Sequence, residues 1–126
     1  MTQTDALVRA VEFIEANLRQ KISVGDMADA AGYSLYHFCR SFSQILHLSP
    51  YEYLMRRRLS EALNPVLNSD RKIIDIAMNY QFQTAEGFSR AFKRLFGANP
   101  SEIRKSDEYP KHRHLPALNR GLIEHI

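Results

Sequence analysis

One cysteine, Cys39, is all that the 126-residue chain contains. No internal disulfide can form, which fits a reducing cytoplasm and leaves the fold to its own core. No stretch approaches the roughly 20 consecutive apolar residues of a membrane span. The opening MTQTDALVRAVEF lacks a basic segment followed by an apolar run, so it does not read as a secretory signal. Glycine-rich phosphate loops, carboxylates paired for acid–base chemistry and nucleophile–base arrangements are missing too, which argues against an enzyme and against a bound cofactor. No segment alternates with period two, which argues against a sheet.

Charge is present but only mildly one-sided. Seventeen Lys and Arg stand against 14 Asp and Glu, a net charge of +3. That balance permits nucleic-acid binding without demanding it. Its distribution is uneven: Arg56, Arg57 and Arg58 are contiguous, and Arg90, Lys93, Arg94, Arg104 and Lys105 make a second cationic segment. A solvated helix face is the plainer reading of such clusters.

Every strong periodicity is helical. Leu7, Val11, Ile14 and Leu18 line one face of a helix over residues 5–19. Ser23 and Asp26 have the spacing of a capping box, so a short helix over 24–31 follows, closed by Gly32. Ser34 is placed to cap a helix over 35–46 with Phe38, Phe42 and Ile45 inward. Ser49-Pro50-Tyr51-Glu52 starts a long helix that runs towards Leu67. Pro65 lies within it and predicts a bend or an end at Asn64-Pro65. Beyond, helices are expected over 72–80, with Ile73, Ile76, Ala77 and Tyr80 inward, and over 84–96, with Phe88, Phe92 and Leu95 inward. Asn99-Pro100-Ser101-Glu102 repeats the starter seen at Ser49.

The two halves repeat. Asp26, Ala28 and Tyr33 recur as Asp75, Ala77 and Phe82 at an offset of 49, and Phe38, Arg40, Phe42, Pro50 and Glu52 recur as Phe88, Arg90, Phe92, Pro100 and Glu102 at an offset of 50. The extra residue falls in the turn between two helices, where insertion is cheapest. Helix, short turn and longer helix, twice over, is a tandem helix-turn-helix; a solenoid usually has three or more repeats. The fold class is therefore all-α: a helix-turn-helix subdomain over 1–49, a linker helix over 50–70, a second subdomain over 71–108 and a tail over 109–126.

With these residues in place, the chain resembles the DNA-binding domain of the AraC/XylS family, most closely its MarA/SoxS/Rob branch. The likeness covers residues 5–105 and rests on SVGDMADAAGYSLYHFCRSFSQILHLSPYEYLMRRRL and IIDIAMNYQFQTAEGFSRAFKRLFGANPSEIRK, whose FSRAFKRLFGANPSEIR is close to the family signature. The resemblance implies about seven helices, with two recognition helices entering successive major grooves of double-stranded DNA, and contact with RNA polymerase. Two reading heads on one chain suit a monomer on an asymmetric operator, since single-unit proteins need a two-fold partner instead.

The second helix of such a unit lies in the major groove with its N-terminal half against base edges. By position Leu35, Tyr36, Cys39 and Arg40 form the exposed stripe of the first unit, with His37 beside them as a packing or phosphate-contact residue. Arg40 can make paired bonds to guanine O6 and N7. It aligns with a DNA-reading arginine of the MarA branch. Tyr36 stands in place of that branch's tryptophan, and Cys39 in place of a glutamine, which puts one polar base contact in doubt. In the second unit Ala85, Glu86 and Gly87 lead the helix, where the branch has glutamine and threonine. Glu86 can accept a bond from cytosine N4, and Arg90 can reach base or phosphate. Helix starts near Ser34 and Thr84 offer backbone amides to phosphates. Gln81 replaces the glycine usual at this turn. In the tail, His112 and His114 lack companion metal ligands and read as polar linker, while Leu118, Leu122 and Ile126 suggest an apolar helix face without an obvious partner. A ligand-sensing domain following the tail is an expectation drawn from Rob-type members.

Overall fold

The computed structural model describes residues 1–106 and 114–126. Among the described residues all regular structure is helical. The helices are α1 (Gln3–Ala16), α2 (Val24–Ala31), α3 (Leu35–Leu46), α4 (Pro50–Asn68), α5 (Ile73–Asn79), α6 (Ala85–Phe96), α7 (Pro100–Lys105) and α8 (Arg120–Glu124). Seven match the expected set, and α8 adds one in the tail. By packing the chain forms two compact units, Met1–Met55 with Ala117–Ile126, and Arg56–Pro116. The division falls inside α4, so each unit takes part of the long helix.

Local chemistry explains most helix ends. Thr2 and Asp5 form a reciprocal capping box that starts α1, as do Ser23 and Asp26 at α2 and Asn99 and Glu102 at α7. Ser49 Oγ accepts the Glu52 amide at 3.0 Å where α4 begins. Ser34 and Thr84 cap α3 and α6 through the amides of His37 and Gly87, at 3.2 and 2.9 Å. Each cap satisfies one amide that the helix leaves without a partner.

In the first unit Leu7, Val11 and Ile14 of α1, Met27 and Ala31 of α2, and Phe38 and Phe42 of α3 are buried together with Tyr53 of α4. Phe42 lies edge-on to Tyr53, with ring centroids 5.9 Å apart. The second unit repeats this plan with more aromatic content. Phe88, Phe92 and Phe96 follow one another along α6 as tilted ring pairs with centroids 5.6 and 4.7 Å apart, in one core with Leu63 and Val66 of α4, Ile76 of α5 and Ile103 of α7. The last inward position is Leu46 or Phe96, and Ile45 and Leu95 are only half-buried. Four-residue steps continued from the phenylalanines therefore define the inner face better than a step of three.

Pro65 does not end α4: the helix runs on through one more turn to Asn68. The proline removes only the bond to the Glu61 carbonyl, and Val66 beyond it is fully buried. The carbonyls after the proline are then taken up from outside the helix. Arg104 Nε donates to Val66 O at 2.8 Å and Nη2 to Pro65 O at 3.3 Å, and Ser69 Oγ donates to Pro65 O at 2.6 Å.

The tail departs from its expected register. Leu122 and Ile126 are 46% and 58% exposed, whereas Ile123 is buried. The helix begins only at Arg120, capped by Asn119, so Leu118 precedes it and cannot share a face four residues on. Arg120 reaches Asp5 at 3.0 Å, and α8 packs on α1, which supplies the partner that the sequence did not reveal.

Two non-glycine residues occupy the left-handed region, His47 with φ 59° and Gln81 with φ 68°, alongside Gly32 and Gly97 with φ 74° and 88°. Gly32 and Gln81 hold the turns before α3 and α6, and His47 and Gly97 hold the C-terminal caps of those helices. Each unit thus places glycine at one of the two positions and a strained residue at the other. His47→Gly should stabilise the chain by about 0.5 kcal/mol, the relief of left-handed strain less the added freedom of the unfolded chain. Gly97→Ala should destabilise it by about 1 kcal/mol. Urea unfolding followed by circular dichroism tests both, and shifts of the same sign would contradict the strain argument.

Hydrogen bonds from the Thr2 backbone and hydroxyl, with Arg120 nearby, hold the Asp5 carboxyl down at about 2. A depressed folded value means stability that is full above the unfolded value of about 3.9 and is lost as pH falls through about 2. Asp5→Asn should therefore be less stable than the parent at pH 7, with the gap closing as pH falls from 4 towards 2. Thermal melts across that range check it; a gap that stays constant would contradict the assignment.

Candidate nucleic-acid interface

Gly32 closes α2 in the left-handed conformation, donating its amide to Ala28 O and Asp29 O, and so turns the chain sharply into α3. Phe38 and Phe42, one turn apart, are both fully buried. That anchoring turns the opposite face outward: Leu35 is 55% and Tyr36 74% exposed, and His37, Arg40, Ser43 and Gln44 are exposed with them. Cys39 is half-buried at the edge of this face, not on its free stripe. Ser43 and Gln44 continue the face three and four residues beyond Arg40; that spacing was the sequence signal for them.

The face is organised internally. The rings of Tyr33 and His37 stack with centroids 4.2 Å apart and planes within 5°. Arg40 Nη1 donates to the Tyr36 hydroxyl at 3.4 Å. Between Leu35 and Leu46 there is no acidic residue, so the exposed cation Arg40 has no carboxylate on its own helix. With the His37 amide taken by Ser34, the amides of Leu35 and Tyr36 complete an electropositive helix start.

The second unit differs. Gln81 takes the left-handed turn, Thr84 caps α6, and Phe88 and Phe92 are buried as their counterparts are. Glu86 and Arg90 are exposed, while Ala85 and Gly87 are half-buried. A Cβ at Gly87 would stand 3.0 Å from the Thr84 hydroxyl, so the glycine gives room to the cap that its own amide serves. Lys93 and Arg94, in the last turn of α6, extend the exposed cationic side. They favourably face the negative end of the helix dipole. This helix thus offers charge but little base-shaped chemistry.

The run of three arginines is not a cationic patch. Arg57 and Arg58 are 2% and 6% exposed. Arg57 Nη1 donates to Leu115 O at 2.7 Å, and Nη2 pairs with Glu61 at 2.6 Å. Ser60, also buried, accepts the Leu115 amide at 2.9 Å. A charge this deep persists because its fork is filled by a carbonyl and a carboxylate.

No group of three or more His, Cys, Asp or Glu residues suited to a metal exists among the described residues. His114 is half-buried, and His112 lies outside the described residues. No helix among the described residues is long and apolar enough to cross a membrane.

The family model for a helix-turn-helix domain matches residues 27–106. The transcriptional activator AarP of Providencia stuartii is 35% identical over 105 residues, which cover 83% of this chain and 78% of that protein. The chain belongs to the AraC-type helix-turn-helix family. The transcriptional regulator Rob of Salmonella typhimurium is 32% identical over 121 residues, 96% of this chain but 42% of that protein. An AraC-type DNA-binding regulator from Chromobacterium violaceum shares the fold with a TM-score of 0.74 at 29% identity, over 79% of this chain and 88% of that one. As an AraC-type domain the chain is a DNA-binding transcription regulator, and the family is not one of enzymes.

Within the AraC-type fold Arg57 is a structural residue. Arg57→Ala should lower stability by about 2 kcal/mol, through the lost bond to Leu115 O, the lost pair with the half-exposed Glu61 and lost packing. The slope of DNA affinity against salt should stay unchanged. Thermal melts and salt titrations together check this; a flatter slope at intact stability would place Arg57 on phosphate.

Proposed function

We propose that the chain binds an asymmetric double-stranded DNA site as a monomer, with α3 and α6 in successive major grooves and α3 as the principal reader. The observation that carries this reading is the exposed, acid-free face of α3, on which Tyr36 and Arg40 stand opposite the buried Phe38 and Phe42. Arg40 pairs with guanine O6 and N7; Leu35 and Tyr36 offer apolar and shape contact to the same few base pairs. Ser34, Thr84 and the helix starts that they cap hold phosphates, with His37 beside them. Cys39 and Ala85 flank the groove-facing residues. Gly87 adds no side chain, and Glu86 limits the second helix to cytosine N4 or to repulsion from phosphate. Arg90, Lys93 and Arg94 then give α6 mainly affinity.

In this reading the chain works in the cytoplasm as an activator, a role supported by the AarP likeness. It contacts RNA polymerase while bound to DNA.

Two arginines separate the roles of the units. Arg40→Ala should cost ~1–3 kcal/mol on the preferred site and relax the choice at one base pair. Arg90→Ala should weaken preferred and scrambled DNA alike, and flatten the logarithmic salt slope by about one. Fluorescence-anisotropy titrations at several salt concentrations measure both. Intact discrimination in Arg40→Ala, with discrimination lost in Arg90→Ala, would make α6 the reader.

A further inference from the structure

The hydrogen bond between Tyr36 and Arg40 links two side chains that both face solvent. Tyr36 is 74% exposed, yet its hydroxyl accepts from Arg40 Nη1 at 3.4 Å, one turn along α3. An exposed arginine without a carboxylate on its helix would otherwise sample many rotamers. We propose that Tyr36 is a positioning residue for Arg40, a tyrosine–arginine dyad that sets the guanidinium before DNA arrives and so fixes which base pair it reads. The inference rests on the assignment of α3 as reader.

The chemistry is specific to a phenol. The guanidinium has five N–H donors, and the Tyr36 oxygen occupies one on Nη1. Nη2 and Nε remain as a parallel pair that matches guanine O6 and N7. Part of the rotamer freedom of Arg40 is lost before binding, so less is lost on the DNA. His37 is steadied separately by its stack on Tyr33, which leaves Arg40 as the group that Tyr36 organises.

The test is a set of anisotropy titrations on the preferred duplex and on duplexes substituted one base pair at a time. The proteins are the full chain, Tyr36→Phe, Tyr36→Trp, Arg40→Ala and Tyr36→Phe/Arg40→Ala. Tyr36→Phe keeps the ring and removes the hydroxyl. It should lower discrimination by about 3- to 10-fold at the single base pair that Arg40→Ala also relaxes, with other positions and the salt slope unchanged. Tyr36→Trp, with ring area but no para hydroxyl, should behave alike. In the Arg40→Ala background Tyr36→Phe should add nothing. A uniform loss on all duplexes, or a loss that adds to that of Arg40→Ala, would overturn the dyad and make Tyr36 an independent contact. Full discrimination in Arg40→Ala would instead overturn the reader assignment, and the dyad with it.

Discussion

The rotation of α3 about its own axis is the constraint on which the interface depends, and two phenylalanines set it. Phe38 and Phe42 are fully buried, and rolling the helix would expose rings that contribute on the order of 2 kcal/mol each by burial. No single polar contact on the outer face approaches that. The burial of these rings therefore decides which residues can meet a groove: those a third to a half turn away, Tyr36, Arg40 and their neighbours. Phe88 and Phe92 impose the same orientation on α6. The two helices are held alike and differ in what they present. One shows tyrosine, leucine and arginine; the other shows glutamate, arginine and lysine around small residues.

A second constraint is polar and lies in α4. Arg57 and Ser60 are buried because both main-chain groups of Leu115 meet them. The end of the helix beyond Pro65 persists because Arg104 and Ser69 accept the task of bonding its last free carbonyls. Among the described residues no buried side-chain polar atom lacks a partner. Residues that look from composition like a DNA-binding charge run thus serve the fold, which leaves the exposed cations of α3 and α6 to the proposed interface.

These two constraints also explain what was legible in the sequence. The helices, their caps and the outward face of α3 could be read because their determinants are local: a serine or threonine three residues from the amide it caps, phenylalanines four apart. α1 starts at Gln3, two residues before its apolar periodicity begins, because the Thr2–Asp5 capping box and not the apolar face sets that end. The burial of Arg57 was not legible, since its acceptor stands 58 residues further on. The persistence of α4 past Pro65 depends on Arg104, 38 residues from Val66. The register of the tail depends on Asp5 at the other end of the chain. The half-burial of Cys39, Ala85 and Gly87 reflects how far each helix sinks into its unit, which periodicity alone does not give.

The central claim is that one chain reads an asymmetric DNA site through two unequal helices. Selection of binding sites from a randomised duplex library, sequenced after several rounds, tests it most directly. The account predicts two blocks of enriched sequence about 10 base pairs apart, different from each other, with the block contacted by α3 much the more sharply defined. A palindromic consensus, two equally informative blocks, or no enrichment over the starting library would contradict it.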